Sequence, residues 1–219
     1  MARAPIILSP RKKPIQGRSI YTVKAIFEGC IQVLLATGLE RLTTTKVAER
    51  AGVSVGTLYQ YFPNKESLLA AVLEDHLSKV VADVEAACLA AKGQTLEVMV
   101  DSVVTAFVRA KTEDAPASKA LYAVASDIGG TVIVARLTQR AQLALCSMLA
   151  TAPNAHFEDL SMVSYVLTTS LVGPVQGLLS ADAPPAMVLA VKTHLVQLIQ
   201  AYLQRLQMDT KVTDLTSRK

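Results

Sequence analysis

Residues 43–69 constrain the fold of this chain more than any other stretch of its 219 residues. Thr43 is a good N-cap for a first short helix over about residues 44–51, because its hydroxyl can accept a free backbone N–H. Gly52 ends that helix, since glycine adopts the left-handed conformation without steric cost. The stretch therefore opens with a short helix and a tight turn.

A second short helix follows over about residues 55–61, with Ser54 as its N-cap and Pro63 just beyond its end. Leu58 and Phe62 lie four positions apart, so both side chains face inward. Two short helices joined by a turn that contains glycine are typical of the helix-turn-helix motif. The second helix of that motif lies in the major groove of DNA.

The distribution of charge agrees with a nucleic-acid partner for this end of the chain. Residues 1–65 contain ten Lys or Arg against three Glu, a net charge of +7, whereas residues 66–219 contain twelve against fifteen, a net of −3. A phosphate-binding surface requires such a positive region. The alternative is that the N-terminal charges only keep a tail in solution.

Composition and periodicity predict an all-α chain. Half of the residues are hydrophobic, Trp is absent and aromatic residues make up 5%, which favours helices filled with Ala, Leu and Val. We expect about nine helices, over residues 19–37, 44–51, 55–61, 65–89, 95–111, 118–128, 131–150, 157–179 and 186–206. They would form an N-terminal three-helix bundle that contains the helix-turn-helix, followed by a larger helical domain. We expect the chain to divide into a disordered basic arm (1–17), a DNA-binding domain (18–66), a second domain (67–208) and a frayed tail (209–219).

The motif resembles the TetR family of bacterial transcriptional regulators. The resemblance spans about residues 18–73 and rests on Thr43-Thr44, Val47-Ala48, Ala51-Gly52-Val53-Ser54, Gly56-Thr57-Leu58-Tyr59, Tyr61-Phe62 and Asn64-Lys65-Glu66-Ser67-Leu68-Leu69. Many members carry His where this chain has Tyr61, so the resemblance fixes the register of the motif and not the DNA sequence that it reads.

The resemblance implies which residues contact DNA: Thr44, Thr45, Val55, Gly56, Thr57, Tyr59, Gln60, Tyr61 and Lys65. The hydroxyl groups and Lys65 would contact phosphates, and Gly56 would allow close approach to the groove. Gln60 could make a bidentate contact with adenine. The alternative for Tyr59 and Tyr61 is packing within the three-helix bundle.

The resemblance also implies a homodimer and an effector. The last two long helices would pair two subunits, through contacts such as Val163, Leu167, Leu171, Val175, Val188, Val191, Leu195, Leu198 and Tyr202, or these residues simply fill the core. Residues that could line an effector site are Met99, Val103, Phe107, Tyr122, Met148, Met162, Tyr165 and Thr169, with ordinary core packing as the alternative. Few charges lie nearby, so we expect a neutral, hydrophobic or aromatic effector.

Several other classes of protein fit the sequence poorly. Residues 160–181 contain no charged residue, and this segment is long enough for a membrane span. Gly173-Pro174 and seven Ser, Thr or Gln residues within it favour a buried helix instead. The three cysteines Cys30, Cys88 and Cys146 are far apart, as expected for free thiols in the cytoplasm. No metal cluster, cofactor motif or catalytic constellation is present, so we do not expect an enzyme.

We therefore expect a cytoplasmic repressor that binds a palindromic operator as a dimer and is released by a small hydrophobic effector. Two alternatives remain open at this point. One is a regulator that activates transcription, and the other is an architectural protein that binds any duplex without an effector.

Overall fold

The computed structural model describes residues 17–216 and the side chains of residues 19–207. Within that range the chain is helical and contains no strand, which confirms the all-α prediction. The predicted basic arm lies outside the described residues except for Gly17. The described helices are α1 (Gly17–Arg41), α2 (Thr44–Arg50), α3 (Val55–Tyr61), α4 (Lys65–Ala90), α5 (Leu96–Thr112), α6 (Ala115–Asp127), α7 (Thr131–Leu149), α8 (Leu160–Ser180) and α9 (Pro185–Thr216).

Three helix ends differ from the sequence prediction for identifiable reasons. After the predicted stop at Gly38 (φ 74°, ψ 169°), α1 resumes for one further short turn. The start of α6 lies at Ala115 rather than residue 118, because Pro116 is tolerated in a first turn, where its missing N–H removes no helical hydrogen bond. The start of α8 lies at Leu160 rather than residue 157, where the Asp159 carboxylate accepts the Met162 N–H at 2.9 Å.

The C-terminal helix is longer than predicted. Sequence patterning ends it at about residue 206 and assigns residues 209–219 to a frayed tail, whereas the backbone of α9 is helical to Thr216. The polar composition after residue 206 breaks the apolar stripe and so hides the continuation from a periodicity argument.

The chain divides into two compact units. Unit 1 comprises Met1–Leu77 and Pro116–Ala135, and unit 2 comprises Ser78–Ala115 and Arg136–Lys219. Almost all of α6 and the start of α7 therefore pack with the N-terminal helices, although they are distant in sequence. This division is one of packing, and the predicted functional boundary after residue 66 stays a prediction.

The core of unit 1 holds the two motif helices in place. Val47 and Ala48 of α2 and Leu58 of α3 are fully buried, and side chains of α1, α4 and α6 surround them. Further members of this core are Ile26, Cys30, Leu34, Leu42, Phe62, Leu68, Leu69, Val72, Leu73, Leu121, Val124 and Ile128. Burial of this apolar surface stabilises the short α2 and α3, which could not persist alone.

Gly29 permits the close contact between α1 and the turn of the motif. A Cβ atom at Gly29 would lie 3.1 Å from the backbone N and 3.2 Å from the Cβ of Ala51. Those distances are shorter than ordinary van der Waals contact, and the Ala51 backbone is fixed by its hydrogen bond to the Val47 carbonyl at 2.9 Å. A side chain at position 29 would therefore separate α1 from α2.

Unit 2 is built around α5, α8 and α9, which pack against one another. Its core includes Met99, Val103, Met148, Leu167, Leu171, Leu195 and Ile199. By length and composition alone, α1, α8 and α9 each contain a segment apolar enough to cross a membrane: Ser19–Arg41, Leu160–Ser180 and Pro185–Gln207. In α8 that apolarity has another use, because Val163, Leu167, Leu171, Val175 and Leu178 are buried inside unit 2.

Lys111 lies in the core of unit 2 with 3% of its surface exposed, and burial lowers the pKa of its ammonium group to about 8. The unfolded chain holds this proton up to about pH 10.4. Between these two pH values the unfolded state binds more protons than the folded state. The free energy of unfolding therefore falls as the pH is lowered from about 10.4 to about 8, and the stability that this group contributes above pH 10.4 is lost.

We expect Lys111→Met to be more stable than the original chain near neutral pH. Its advantage should shrink by about 2 kcal/mol between about pH 7 and pH 10, measured by urea unfolding at each pH. Cys30 and Cys88, whose pKa values burial raises to about 12, titrate equally in both proteins and cancel in the difference. An advantage that stays constant with pH would contradict this account of Lys111.

Candidate functional site

The helix-turn-helix has the local geometry that its sequence predicts. The Thr43 hydroxyl accepts the Lys46 N–H at 3.3 Å and caps α2, and the Ser54 hydroxyl accepts the Thr57 N–H at 3.0 Å and caps α3. Gly52 adopts a positive φ of 67° between the two helices. Its N–H donates to the Glu49 carbonyl at 3.1 Å, so the turn is closed by backbone hydrogen bonds as well as by glycine.

Four of the predicted DNA-contacting residues, Thr45, Gly56, Tyr59 and Gln60, are exposed on α2 and α3. A Cβ at Gly56 would meet only the Ser54 hydroxyl, at 3.7 Å, so nothing in the protein requires glycine there. Tyr59 is 41% exposed, and its hydroxyl lies 2.9 Å from that of Thr44. This hydroxyl pair joins α2 to α3 at the surface that the motif would present to DNA.

The other predicted contacts are partly engaged within the protein. Val55 and Tyr61 pack against the core of unit 1, and the Tyr61 ring lies 6.2 Å from that of Phe62. The Thr57 hydroxyl lies 2.8 Å from that of Ser54, so it supports the cap of α3. Packing within the bundle, the alternative considered for both tyrosines, therefore describes Tyr61 better than Tyr59.

Lys65 has a structural partner that its sequence position did not reveal. Its Nζ donates to the Leu39 carbonyl at 2.7 Å, just beyond the break of α1 at Gly38. The bond ties the end of α1 to the start of α4. Lys65 also lowers the pKa of the Cys30 thiol, although burial dominates and raises it to about 12, so Cys30 is a core residue and not a reactive one.

Three cations in or next to α2 were not among the residues predicted to contact DNA. Arg41, Lys46 and Arg50 are all exposed. Lys46 Nζ donates to the Arg41 carbonyl at 2.9 Å, and Arg50 Nε donates to the Gln32 side chain. Their concentration within residues 41–50 was the available signal, since exposed cations beside the motif suit phosphates.

The start of α4 is fixed by a reciprocal cap next to this surface. The Asn64 side-chain oxygen accepts the Ser67 N–H at 2.7 Å, and the Asn64 N–H donates to the Ser67 hydroxyl at 3.3 Å. Ser67 is fully buried. The junction between α3 and α4 is therefore held rigidly by polar contacts as well as by the core.

The structure separates the predicted effector residues into three groups. Met99, Val103 and Met148 border a cavity of only about 10 Å³ in the core of unit 2, while Phe107 is partly buried on α5. Tyr122 belongs to unit 1, where burial raises the pKa of its hydroxyl. The remaining three, Met162, Tyr165 and Thr169, are exposed on α8. The cavity beside Met99, Val103 and Met148 holds about one water molecule, so no effector fits it in this conformation.

Two of the cavities in unit 2 have volumes above about 500 Å³. The first, termed the α5–α9 cavity, has a volume of about 520 Å³ and is bordered by α5, the end of α8, the following turn and the start of α9. The second, termed the α4–α5 groove, has a volume of about 590 Å³ and is bordered mainly by α4 and α5; five of its twelve lining residues are alanines. Both share Thr105 and Arg109. Among the described side chains, no cluster of His, Cys, Asp or Glu could hold a metal ion.

The exposed apolar side chains of α8 and α9 differ from those chosen from sequence. Val163, Leu167, Leu171, Val175 and Leu195, expected at a subunit contact, are at most 5% exposed and fill the core of unit 2. Their burial makes them unavailable to a second copy. Large exposed side chains lie on other faces: Met162, Tyr165, Met187, Leu189 and Leu198 are 48–61% exposed. Of these five residues, only Leu198 was predicted from sequence to lie at the subunit contact.

Comparison with known protein families gives two matches along this chain. Residues 26–72 match the model of bacterial regulatory proteins of the tetR family, and residues 95–203 match that of the tetracyclin repressor-like C-terminal domain. The first range contains the whole helix-turn-helix, and the second contains α5, α8 and most of α9.

Curated relatives include two regulators with a short region of similarity. One is the HTH-type transcriptional repressor KstR of Mycolicibacterium smegmatis, 39% identical over 67 residues, which cover 31% of this chain and 33% of the relative. The other is the fatty acid metabolism regulator protein of Bacillus subtilis, 30% identical over 60 residues, or 27% of this chain and 31% of the relative. Each alignment thus spans about a third of the relative's length.

Solved structures share the fold over most of the chain. A TetR-family regulator from Mesorhizobium loti aligns with a TM-score of 0.73 at 17% identity, covering 86% of this chain and 98% of that one. The fatty acid degradation regulator FadR from Bacillus halodurans gives 0.69 at 18% identity, covering 86% and 96%. FadR from Bacillus subtilis, solved in complex with stearoyl-CoA, gives 0.62 at 16% identity, covering 80% and 96%.

Proposed function

Because this chain belongs to the TetR family of bacterial transcriptional regulators, we propose that it is a repressor that binds a palindromic operator as a homodimer and is released by a small effector. Members of this family regulate transcription and are not enzymes. The expected location is the cytoplasm, where the operator is. A regulator that activates transcription through the same motif is the alternative within the family.

The exposed face of α3 carries the proposal. Leu58 is fully buried beneath it, so the backbone of α3 is fixed on the core of unit 1, while Gly56, Tyr59 and Gln60 point to solvent. Such a helix, with exposed Lys46 and Arg50 on the preceding α2, has the shape and charge for a major groove. On α3 itself, Gln60 is the side chain that can distinguish a base by two hydrogen bonds.

A dimer supplies what one α3 lacks. One recognition helix reads a few base pairs, and specific affinity arises from two half-sites about 34–36 Å apart. We assign the contact between subunits to exposed side chains of α8 and α9, among them Met162, Tyr165 and Leu198, which are 55–57% exposed. Apolar side chains left in water on long helices favour such an association.

Release by an effector would follow from unequal binding to two conformations. An effector that binds better to the DNA-incompetent state shifts the population toward it. The cavities of unit 2 offer the space, and α4, which runs without interruption from Lys65 to Ala90, contributes to both units. The stearoyl-CoA complex of the similarly folded FadR is consistent with an effector that has an apolar body.

Selection of bound fragments from the genome that encodes the protein tests this proposal. We expect enriched fragments to share an inverted repeat with half-site centres about one helical turn of DNA apart, and the protein to sediment as a dimer. Leu198→Glu should shift the protein to monomers and weaken binding to the repeat. Enrichment without a common sequence would favour the architectural alternative and overturn the proposal.

A further inference from the structure

The α5–α9 cavity combines an apolar wall with charged groups. Its volume of about 520 Å³ lies within the range of about 300–1,000 Å³ typical of small-molecule sites. Its apolar wall consists of Val108, Leu178, Leu179, Pro185, Val188 and Leu189. Such a wall takes up a hydrocarbon body by removing it from water.

The charged groups in the lining have a net positive charge. Arg109 and Lys192 contribute two cations and Asp182 one carboxylate, a formal sum of +1. Lys192 Nζ lies 3.5 Å from the Thr105 hydroxyl, which places the ammonium group at the wall between α5 and α9. The planar guanidinium of Arg109 suits a carboxylate. One negative charge on a ligand would balance this lining.

Arg109 also connects the cavity to α4. It borders the α4–α5 groove, where its Nη2 lies 3.4 Å from Asp83 Oδ2. The two side chains are 66% and 43% exposed, so the ion pair is weak. An anion in the α5–α9 cavity would therefore compete with Asp83 for the same guanidinium.

We propose that the α5–α9 cavity binds an amphipathic molecule with a hydrocarbon body and one anionic head group. Arg109 and Lys192 bind the head group, and this contact draws Arg109 away from Asp83. The sequence predicted a neutral, hydrophobic or aromatic effector because few charges lie in these helices. Arg109 and Lys192 are far apart along the chain and line one cavity only in the fold. The inference rests on the proposed function for its regulatory meaning, since Asp83 lies on α4, the helix that follows the recognition helix.

Calorimetric titration of the full-length protein tests the ligand class with three ten-carbon probes, kept below their micelle concentrations: decanoate, decanol and decyltrimethylammonium. We expect decanoate to bind at least about tenfold more tightly than the other two. Arg109→Gln and Lys192→Gln should each weaken decanoate about tenfold and leave decanol unchanged. Asp83→Asn should tighten decanoate about two- to fivefold, because it removes the competitor.

Arg140→Gln is the matched control. Arg140 is also an exposed arginine of unit 2 in an ion pair, 2.7 Å from Glu85, and it does not line the cavity. The control should bind decanoate like the original chain. Equal affinity for decanoate and decanol, or equal affinity of Arg109→Gln and Arg140→Gln for decanoate, would overturn the anionic site. Unchanged decanoate affinity in Asp83→Asn would overturn the competition.

Binding to the selected operator, measured in parallel without any probe, separates this inference from the proposed function. A protein that binds its operator and not decanoate retains the function and loses the ligand class. A protein that binds decanoate and no specific DNA retains the cavity assignment and loses the function.

Discussion

Leu58→Ala should lower the free energy of unfolding of unit 1 by about 2–5 kcal/mol, the range for a buried leucine truncated in a core that relaxes only partly. Leu58 is 0% exposed and is the buried side chain of the seven-residue α3. A helix of that length has little stability of its own, so most of it comes from this packing. Native-state hydrogen exchange over α2 and α3 measures the loss locally.

Leu35→Ala is the matched control, because it makes the same substitution in unit 1 at a side chain that is 47% exposed. Its cost should stay under about 1 kcal/mol. Equal costs for the two substitutions would mean that α3 is not fixed by its core contact, and the geometry of the recognition surface would then need another explanation.

Gly56→Glu should reduce operator affinity at least about 100-fold while leaving the fold intact. A Cβ at position 56 makes only an ordinary van der Waals contact with the Ser54 hydroxyl, and an acidic residue in the first turn of α3 suits the helix dipole. Facing DNA, the same carboxylate meets phosphates and fills the space that close approach needs. Like charges brought together at an interface cost several kcal/mol. Fluorescence anisotropy of a labelled operator gives the affinity, and thermal unfolding confirms the fold.

Ala123→Glu makes the same change in net charge at an exposed position of α6 in unit 1. Its operator affinity should remain within about threefold of the original, since this charge is not on α3 and exposed charges are screened at physiological ionic strength. A comparable loss in both variants would show that net charge, and not the face of α3, governs binding.

The motif was predictable because its determinants are local. Thr43, Gly52 and Ser54 act on backbone groups within a few residues, and the structure shows the caps and the left-handed glycine where the sequence places them. The structural roles of Gly29 and Lys65 could not be predicted in this way. Each acts on a residue far along the chain, Ala51 or Leu39, and such pairings depend on how helices cross.

In unit 2, even more depends on contacts between residues that are far apart in sequence. Periodicity identified the apolar residues of α8 but could not tell an inward stripe from an outward one, because that helix carries apolar residues on several faces. Val163 and Leu167 proved to be core, while Met162 and Tyr165 are exposed. The cations of the α5–α9 cavity come from separate helices, so only the fold brings them together.

The most direct test of the central claim is the affinity of the protein for its selected operator and for a scrambled duplex at ~150 mM salt, near physiological ionic strength. We expect the operator to bind at least about 10³-fold more tightly than the scrambled duplex. A ratio near one, with an affinity for every duplex that falls steeply as salt rises, would contradict a sequence-specific regulator.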